Sequence, residues 1–372
     1  VFNLADFCLD PGAPEDAALL FVDRAGRVAR RSRAELRAGV ARTASALAAR
    51  LPQGARVALR MTNTPGMAEA FFACAKAGLV ALPLSPQLTR EEARALVDDA
   101  GAALVLVEDA SDPAASALGL EVAEPQALTG TAPLPTTTAD DPVLLIYTSG
   151  TGGRPKGVLH AHRTVLGRVP MRAGWLGIAP GDRVLHAGTL NWTYTLGVGL
   201  MDPLAAGATA VLFKGRAEPD VWPEVIAAHA IHVFAAVPTV YRRLLKYGAP
   251  ERIRTSALKH GVCAGEPLAA ELWQAWREAT GRELYEALGM TEISTYISSG
   301  PATPTRPGTP GRPQPGRRVA ILDPESHAPL TTPGATGLLA VHRSDPGLML
   351  GYWQRPEADA EVFFGEWFAG GD

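Results

Sequence analysis

The chain reads as a layered α/β protein with mainly parallel strands, and three observations predict this class. Short strand-like runs alternate with helix-like segments from about 30 to 110, the pattern that repeated β–α–β units leave in a sequence. A second stretch of the same kind covers about 180–300. Between them the apolar run Val143-Leu144-Leu145-Ile146 leads into a turn dense in glycine and hydroxyl residues. Open α/β sheets hold ligands at the carboxyl ends of their strands, where such a turn would lie.

The elements follow in order. Ser32…Glu35 and Thr89…Glu92 have the spacing of capping boxes, in which a hydroxyl and a carboxylate satisfy free N–H groups at a helix start. Leu36, Val40, Leu47 and Leu51 recur at helical spacing and predict an inward-facing stripe. Residues 55–60, 79–84 and 103–107 read as short strands between such helices. The Thr/Pro-rich stretch 129–141 reads as a loop. In the second stretch, 208–213 and 233–237 read as strands with a helix at 219–229 between them. Proline and glycine crowd 300–316, which marks a linker or barrel-edge loops, and 318–322 and 337–342 then suggest a smaller β-rich unit. The expected organisation is two α/β subdomains over 1–300 and a β-rich, barrel-like subdomain over 301–372.

With 372 residues, 47% hydrophobic content and a net charge of −3, the chain has room for large cores and the balance of an ordinary globular protein. No basic excess points to nucleic acid or an anionic membrane surface. Cys8, Cys74 and Cys263 are too few and too far apart for a disulfide framework or a zinc site. They fit a reducing, cytoplasmic setting. There is no apolar run long enough for a membrane span and no signal-peptide pattern. Val1 rather than Met stands first, so the natural N-terminus is expected upstream.

Residues 147–157, Tyr-Thr-Ser-Gly-Thr-Gly-Gly-Arg-Pro-Lys-Gly, carry the most chemistry. Thr148, Ser149 and Thr151 offer hydroxyls, Gly150, Gly152 and Gly153 let backbone N–H groups approach an anion, and Lys156 adds a charge. That combination suits phosphate. It is neither a Walker loop, since Pro155 and Gly157 flank Lys156, nor a Gly-x-Gly-x-x-Gly dinucleotide fingerprint. Read without further context, a solvated Gly/Pro turn is the alternative in a chain with 38 Gly and 31 Pro.

Residues 147–157 resemble the signature loop of the adenylate-forming superfamily, which includes acyl-CoA synthetases, peptide-synthetase adenylation domains and luciferases. The match covers Thr148, Ser149, Gly150, Thr151, Gly153, Pro155, Lys156 and Gly157, and departs at Gly152, where a second hydroxyl residue is usual. Three further stretches resemble the family in the same order. Gly265-Glu266-Pro267, by itself only a strand-to-helix turn, matches the turn beside the adenine and the acyl pocket. Glu286-Ala287-Leu288-Gly289-Met290-Thr291-Glu292 matches the pentad in which a threonine meets the α-phosphate and a glutamate holds Mg²⁺ as a hard oxygen ligand. There Glu286 corresponds to the residue touching the adenine amino group, and Leu288 replaces the usual aromatic. Leu350-Gly351-Tyr352-Trp353 and Trp367-Phe368-Ala369-Gly370-Gly371-Asp372 complete the series, with Asp372 expected on the ribose hydroxyls.

The resemblance implies an ATP-dependent acid–thiol ligase. A carboxylate attacks the α-phosphate of Mg·ATP, and coenzyme A then takes the acyl group. Thr148, Lys156, Thr291 and Glu292 are the expected catalytic residues, with Ser149 and Thr151 on the phosphates. Asn191-Trp192-Thr193-Tyr194 falls at the acyl side, although Trp192 and Tyr194 fit plain core packing as well. Gly289 stands where acetate-specific relatives close the pocket with tryptophan, so a larger apolar acid, medium-chain or aromatic, is expected. His160, His162 and His186 show no metal spacing and read as structural. Transfer to a carrier protein, or nucleotide or acyl binding without catalysis, remain as rival readings, and a homodimer is left open. No lysine follows Lys259, so the lysine that relatives carry on a mobile C-terminal domain is expected outside this chain.

Overall fold

A computed structural model describes residues 1–148, 155–215 and 218–370. Its described strands form three sheets. The nine-stranded sheet has at its centre a parallel run that includes Arg183–His186, Val233–Ala236, His260–Ala264 and Glu283–Met290. The seven-stranded sheet carries Arg56–Arg60, Val80–Pro83, Ala102–Val107 and Pro142–Thr148 in parallel. A four-stranded antiparallel sheet uses Val319–Leu322, Leu338–His342, Phe363–Phe364 and Trp367–Phe368.

The two large sheets face each other across a layer of helices. Helix Pro65–Lys76 buries Met67, Ala68 and the whole run Ala70 to Ala75. It is apolar nearly all round because residues of both sheets, Leu19 and Leu212 on one side and Val57 and Leu144 on the other, belong to the same core. Helix Arg90–Ala100 covers the outer face of the seven-stranded sheet. Helices Val221–Ala228, Pro238–Tyr247 and Ala270–Thr280 cover that of the nine-stranded sheet. Both sheets are therefore dry on both faces, as parallel sheets require, and the layers run α, β, α, β, α. Both expected capping boxes form, at Ser32–Glu35 and at Thr89–Glu92.

The strands cross the boundary at residue 300 that composition suggested. Arg312–Pro313 pairs with Ser294–Ser298 in the nine-stranded sheet. Gly351–Tyr352 pairs antiparallel with Lys156–Ala161 at the edge of the seven-stranded sheet. No described helix is long and apolar enough to cross a membrane.

Arg168 and Asp202 form an almost fully enclosed pair, with side chains 3% and 1% exposed and N–O contacts of 2.8 and 2.7 Å. Arg168 also donates to Ser294, whose backbone sits at φ 72°. Removing one partner strands a charge in a low-dielectric site. Asp202→Ala is expected to lower unfolding stability by about 3 kcal/mol. Urea titration checks this, and a loss below about 1 kcal/mol would show that water reaches the guanidinium instead.

Candidate nucleotide and acid site

Four parallel strands end side by side, and their carboxyl ends build two adjoining clefts. The first, about 510 Å³, is mostly apolar and is lined by Trp192, Tyr194, Ala236, Val240 and Met290 among others. The second, about 470 Å³, lies between Glu266–Leu268, Glu286–Gly289 and Gly308–Pro310. Gly265, Glu266 and Gly289 line both, so a ligand spanning the two passes these residues. At Gly289 the strand lies close against its antiparallel neighbour. A Cβ there would collide with the backbone of Ser294 and Thr295, so only glycine lets the two strands lie this close.

Thr148 and Lys156 stand directly opposite each other across the antiparallel ladder that joins Pro142–Thr148 to Lys156–Ala161. The expected phosphate loop is thus the connection of a hairpin. Its residues Ser149, Gly150, Thr151, Gly152 and Gly153 lie outside the described residues, as does Asp372.

The Leu350–Trp353 segment straps this hairpin to the Thr291-Glu292 turn. The N–H of Met349 donates to the Glu292 carbonyl at 2.7 Å, that of Leu350 to Leu159 at 2.7 Å, and that of Trp353 to Gly157 at 2.7 Å. The Tyr352 hydroxyl donates to Glu292 Oε1 at 2.7 Å. The Lys156 ammonium sits 5.2 Å from the centre of the Tyr352 ring, within cation–π range. Tyr352 therefore touches both groups that the sequence singled out for phosphate and metal. Its phenol titrates well above the usual range, first because it is buried and then because Glu292 is beside it. The strap has its own anchor: Asp99 accepts from Tyr147 Oη at 2.6 Å and pairs with Arg355 at 2.6 Å.

His160 Nε2 donates to the Thr291 carbonyl at 2.9 Å. Burial holds this imidazole at a pKa of about 4, so it is neutral and acts as a fixed donor behind the turn. Glu286 accepts from the Leu268 N–H through Oε1 at 2.8 Å, which leaves its second oxygen unbonded among the described residues and on the second cleft. Burial raises its carboxyl above the usual range. Glu266 is exposed and accepts from the Thr239 hydroxyl at 2.7 Å, tying the Gly-Glu-Pro turn to the start of a helix.

On the acid side, the Tyr194 hydroxyl donates to the Ala236 carbonyl at 3.2 Å, so its ring, not its oxygen, faces a ligand. Trp192 is 64% exposed, which removes it from the core that its residue type suggested and places it at the rim of the first cleft. Asn63 brackets the facing loop, donating to the Gly188 carbonyl at 2.9 Å and accepting from Leu190 at 3.0 Å. His186, read from sequence as structural, lines the first cleft. So does Thr295, which carried no motif signal. Gly308–Pro310, inside the stretch read as a linker, closes the second. Only a glycine and proline excess marked that stretch, and it says nothing about a cleft.

A single carboxylate, Glu292, with one oxygen unbonded among the described residues and Tyr352 linking it to Lys156, suits Mg²⁺ carried on a nucleotide, since that ion keeps waters and phosphate oxygens and needs few protein ligands. Among the described residues no cluster of three or more acidic, histidine or cysteine side chains could cage a metal by itself.

Two clefts that share a glycine-lined junction, flanked by a Thr/Lys hairpin and a Thr-Glu turn, define a protein of the adenylate-forming class. The chain belongs to the AMP-binding enzyme family, whose model matches residues 11–353. It is 32% identical over 361 residues to the 3-hydroxybenzoate–CoA ligase of Aromatoleum sp. strain CIB, covering 91% of this chain and 68% of that protein. It is 36% identical over 239 residues to the benzoate–CoA ligase of Thauera aromatica, covering 63% of this chain and 44% of that one. The crystal structure of an acyl-CoA synthetase from Brucella canis superposes with a TM-score of 0.90 at 23% identity, over 100% of this chain and 72% of that one. The fold is accordingly that of the N-terminal part of an acyl-CoA synthetase.

Two outcomes are expected. Tyr352→Phe removes one hydrogen bond to Glu292 and keeps the ring under Lys156. It should weaken Mg·ATP binding about fivefold, the equivalent of ~1 kcal/mol, and leave magnesium-free AMP binding unchanged in calorimetry. Separately, His160, His162 and His186 are held at about 4, 4 and 3 against an ordinary 6.5. The unfolded chain takes up protons that the folded chain refuses, so their contribution is complete above about pH 6.5 and is lost as pH falls toward 4. Each contributes at most about 1.4 kcal/mol per pH unit. His162→Gln should flatten the acid loss measured by urea unfolding at several pH values, and an unchanged slope would contradict it.

Proposed function

We propose that this chain is the large nucleotide- and acid-binding part of an ATP-dependent ligase that joins an aromatic carboxylic acid to coenzyme A. The single observation that carries the reading is the pair of adjoining clefts, one apolar and one bearing Glu286, that meet at Gly289 beside Thr291. The acid's ring would lie between Tyr194 and the apolar wall, with Trp192 at the rim. Its carboxylate would then emerge at Gly289, facing the α-phosphate. The volume of the first cleft, about 510 Å³, supports an acid larger than acetate. The relatives' names favour an aromatic acid over a medium-chain one, and coenzyme A over a carrier protein.

In the proposed reaction a carboxylate oxygen attacks the α-phosphorus of ATP, the bond to the β-phosphate oxygen breaks, and pyrophosphate leaves. The coenzyme A thiol then attacks the acyl carbon and AMP departs. The protein's share is positioning and charge stabilisation. Lys156, Thr148 and the hairpin loop hold the β- and γ-phosphates. Thr291, braced from behind by His160, meets the α-phosphate. Glu286 takes the adenine amino group, and Leu288 packs on the ring. Glu292 would hold Mg²⁺, which when bound neutralises phosphate charge, and Tyr352 keeps that carboxylate in place.

Calorimetric titration with ATP and AMP tests the nucleotide half. Lys156→Ala should weaken ATP binding about tenfold or more, as loss of a charge-assisted contact does, and affect AMP much less. Equal weakening of both nucleotides, or no binding at all, would remove the assignment.

A further inference from the structure

The phosphate hairpin has two faces, and only one of them carries the groups assigned to a ligand. Thr148 and Lys156 stand opposite each other, and one residue further back so do Tyr147 and Gly157. Successive side chains of a strand point to opposite faces, so Tyr147 lies behind the pair that would meet phosphate. The strap follows the same alternation. Tyr352 joins the core on the Glu292 side, whereas Trp353 packs with Tyr147 and Leu159 on the other.

Asp99 gathers that rear face. Its Oδ2 accepts from the Tyr147 hydroxyl at 2.6 Å, its Oδ1 pairs with Arg355 at 2.6 Å, and its backbone carbonyl accepts from the Trp353 indole at 3.1 Å. Hairpin and strap are thus tied to one residue of helix Arg90–Ala100. Gly157 lets this latch close, since a Cβ there would stand 3.1 Å from Trp353 and 3.2 Å from the Tyr147 ring. Burial, and then the neighbouring Asp99, holds the Tyr147 phenol above its usual range, so it remains a donor.

Local energetics do not explain an aspartate at this position. Asp98 and Asp99 both fall in the last turn of their helix, which has no basic residue, and a carboxylate there meets the negative end of the helix dipole. Asp98 is paired with Arg94 of the same helix, but the side-chain bonds of Asp99 all leave it. The Asp99 and Arg355 side chains are 29% and 35% exposed, and ion pairs this open add little to stability. The strap pairs with the hairpin as a strand of two residues, Gly351–Tyr352, too short to hold its place alone.

We infer that Asp99 is a positioning residue for polyphosphate binding, setting Lys156 and the Tyr352–Glu292 pair from behind through Tyr147 and Arg355. It touches no ligand. A phosphate chain that meets both Lys156 on the hairpin and Glu292 beside the strap needs the two at a fixed separation, and the latch joins the hairpin to the strap. A nucleoside monophosphate does not span them and does not depend on the latch. This inference rests on the nucleotide site proposed above.

The test is calorimetric titration of the full chain and its variants with Mg·ATP and with AMP. Asp99→Ala should weaken Mg·ATP binding about tenfold, as loss of a residue that orients a binding group does, and leave AMP binding unchanged. Tyr147→Phe deletes only the hairpin end of the latch and keeps the ring. It should act in the same direction by a smaller factor, and it carries the test if Asp99→Ala does not fold. In a Lys156→Ala chain, Asp99→Ala should weaken Mg·ATP much less than in the wild type, because one of the groups it positions is gone. Equal weakening of both nucleotides, or full additivity with Lys156→Ala, is what a merely structural role produces and would overturn the inference. Unchanged Mg·ATP binding in both Asp99→Ala and Tyr147→Phe would overturn it as well, with the nucleotide site left standing. No binding of either nucleotide by the wild-type chain would instead remove that site, and this inference with it.

Discussion

Burial of the nine-stranded sheet on both of its faces is the constraint from which the site follows. Its central strands are nearly continuous apolar runs, and alternate residues feed different cores. Phe234 and Ala236 pack outward under Trp222 and Tyr241, while Val233 and Ala235 pack inward with Trp175 and Val198. A slip of one residue would exchange the two sets, so the register is firmly specified. With the register fixed, His186, Ala235, Val262 and Tyr285 stand level across the four strands, and the backbone beyond them forms the walls of the clefts. The site is a consequence of where strands stop.

The second sheet contributes by attachment rather than by register. Its edge carries the Thr148/Lys156 hairpin, and three backbone hydrogen bonds from the 349–353 strap tie that hairpin to the Thr291-Glu292 turn of the first sheet. Side chains reinforce the same link: His160 from the hairpin strand to Thr291, Tyr352 from the strap to Glu292. Asn63 joins the sheets again at the first cleft. The groups proposed to act on one phosphate chain thus belong to different sheets, held together by directional bonds, which transmit position better than apolar contact does.

The buried histidines show how one residue type divides among roles once it is placed. His162 accepts from Leu4 and closes a contact within the helix layer. His160 supports a turn of the site without facing a ligand. His186 faces a cleft. All three are neutral for the same reason, burial, so charge does not distinguish them. Only the position of the second nitrogen does.

Much was legible in the sequence where the information is local. Capping boxes at Ser32 and Thr89, the short strands, and the hydroxyl–glycine–lysine run all depend on neighbours within a few residues, and the order of four motifs carried the family. Three things were decided by the tertiary structure alone. Thr148 faces Lys156 because a ladder pairs them. Tyr352 meets both Lys156 and Glu292 because a strap folds back across the chain. Trp192 lies at a rim and His186 and Thr295 in a wall because strands from distant parts of the chain come side by side there. Sequence records which groups are available and how the chain turns locally. Which groups share a cleft depends on contacts between residues far apart in the chain, and those are fixed only when the two sheets close on their common helix layer.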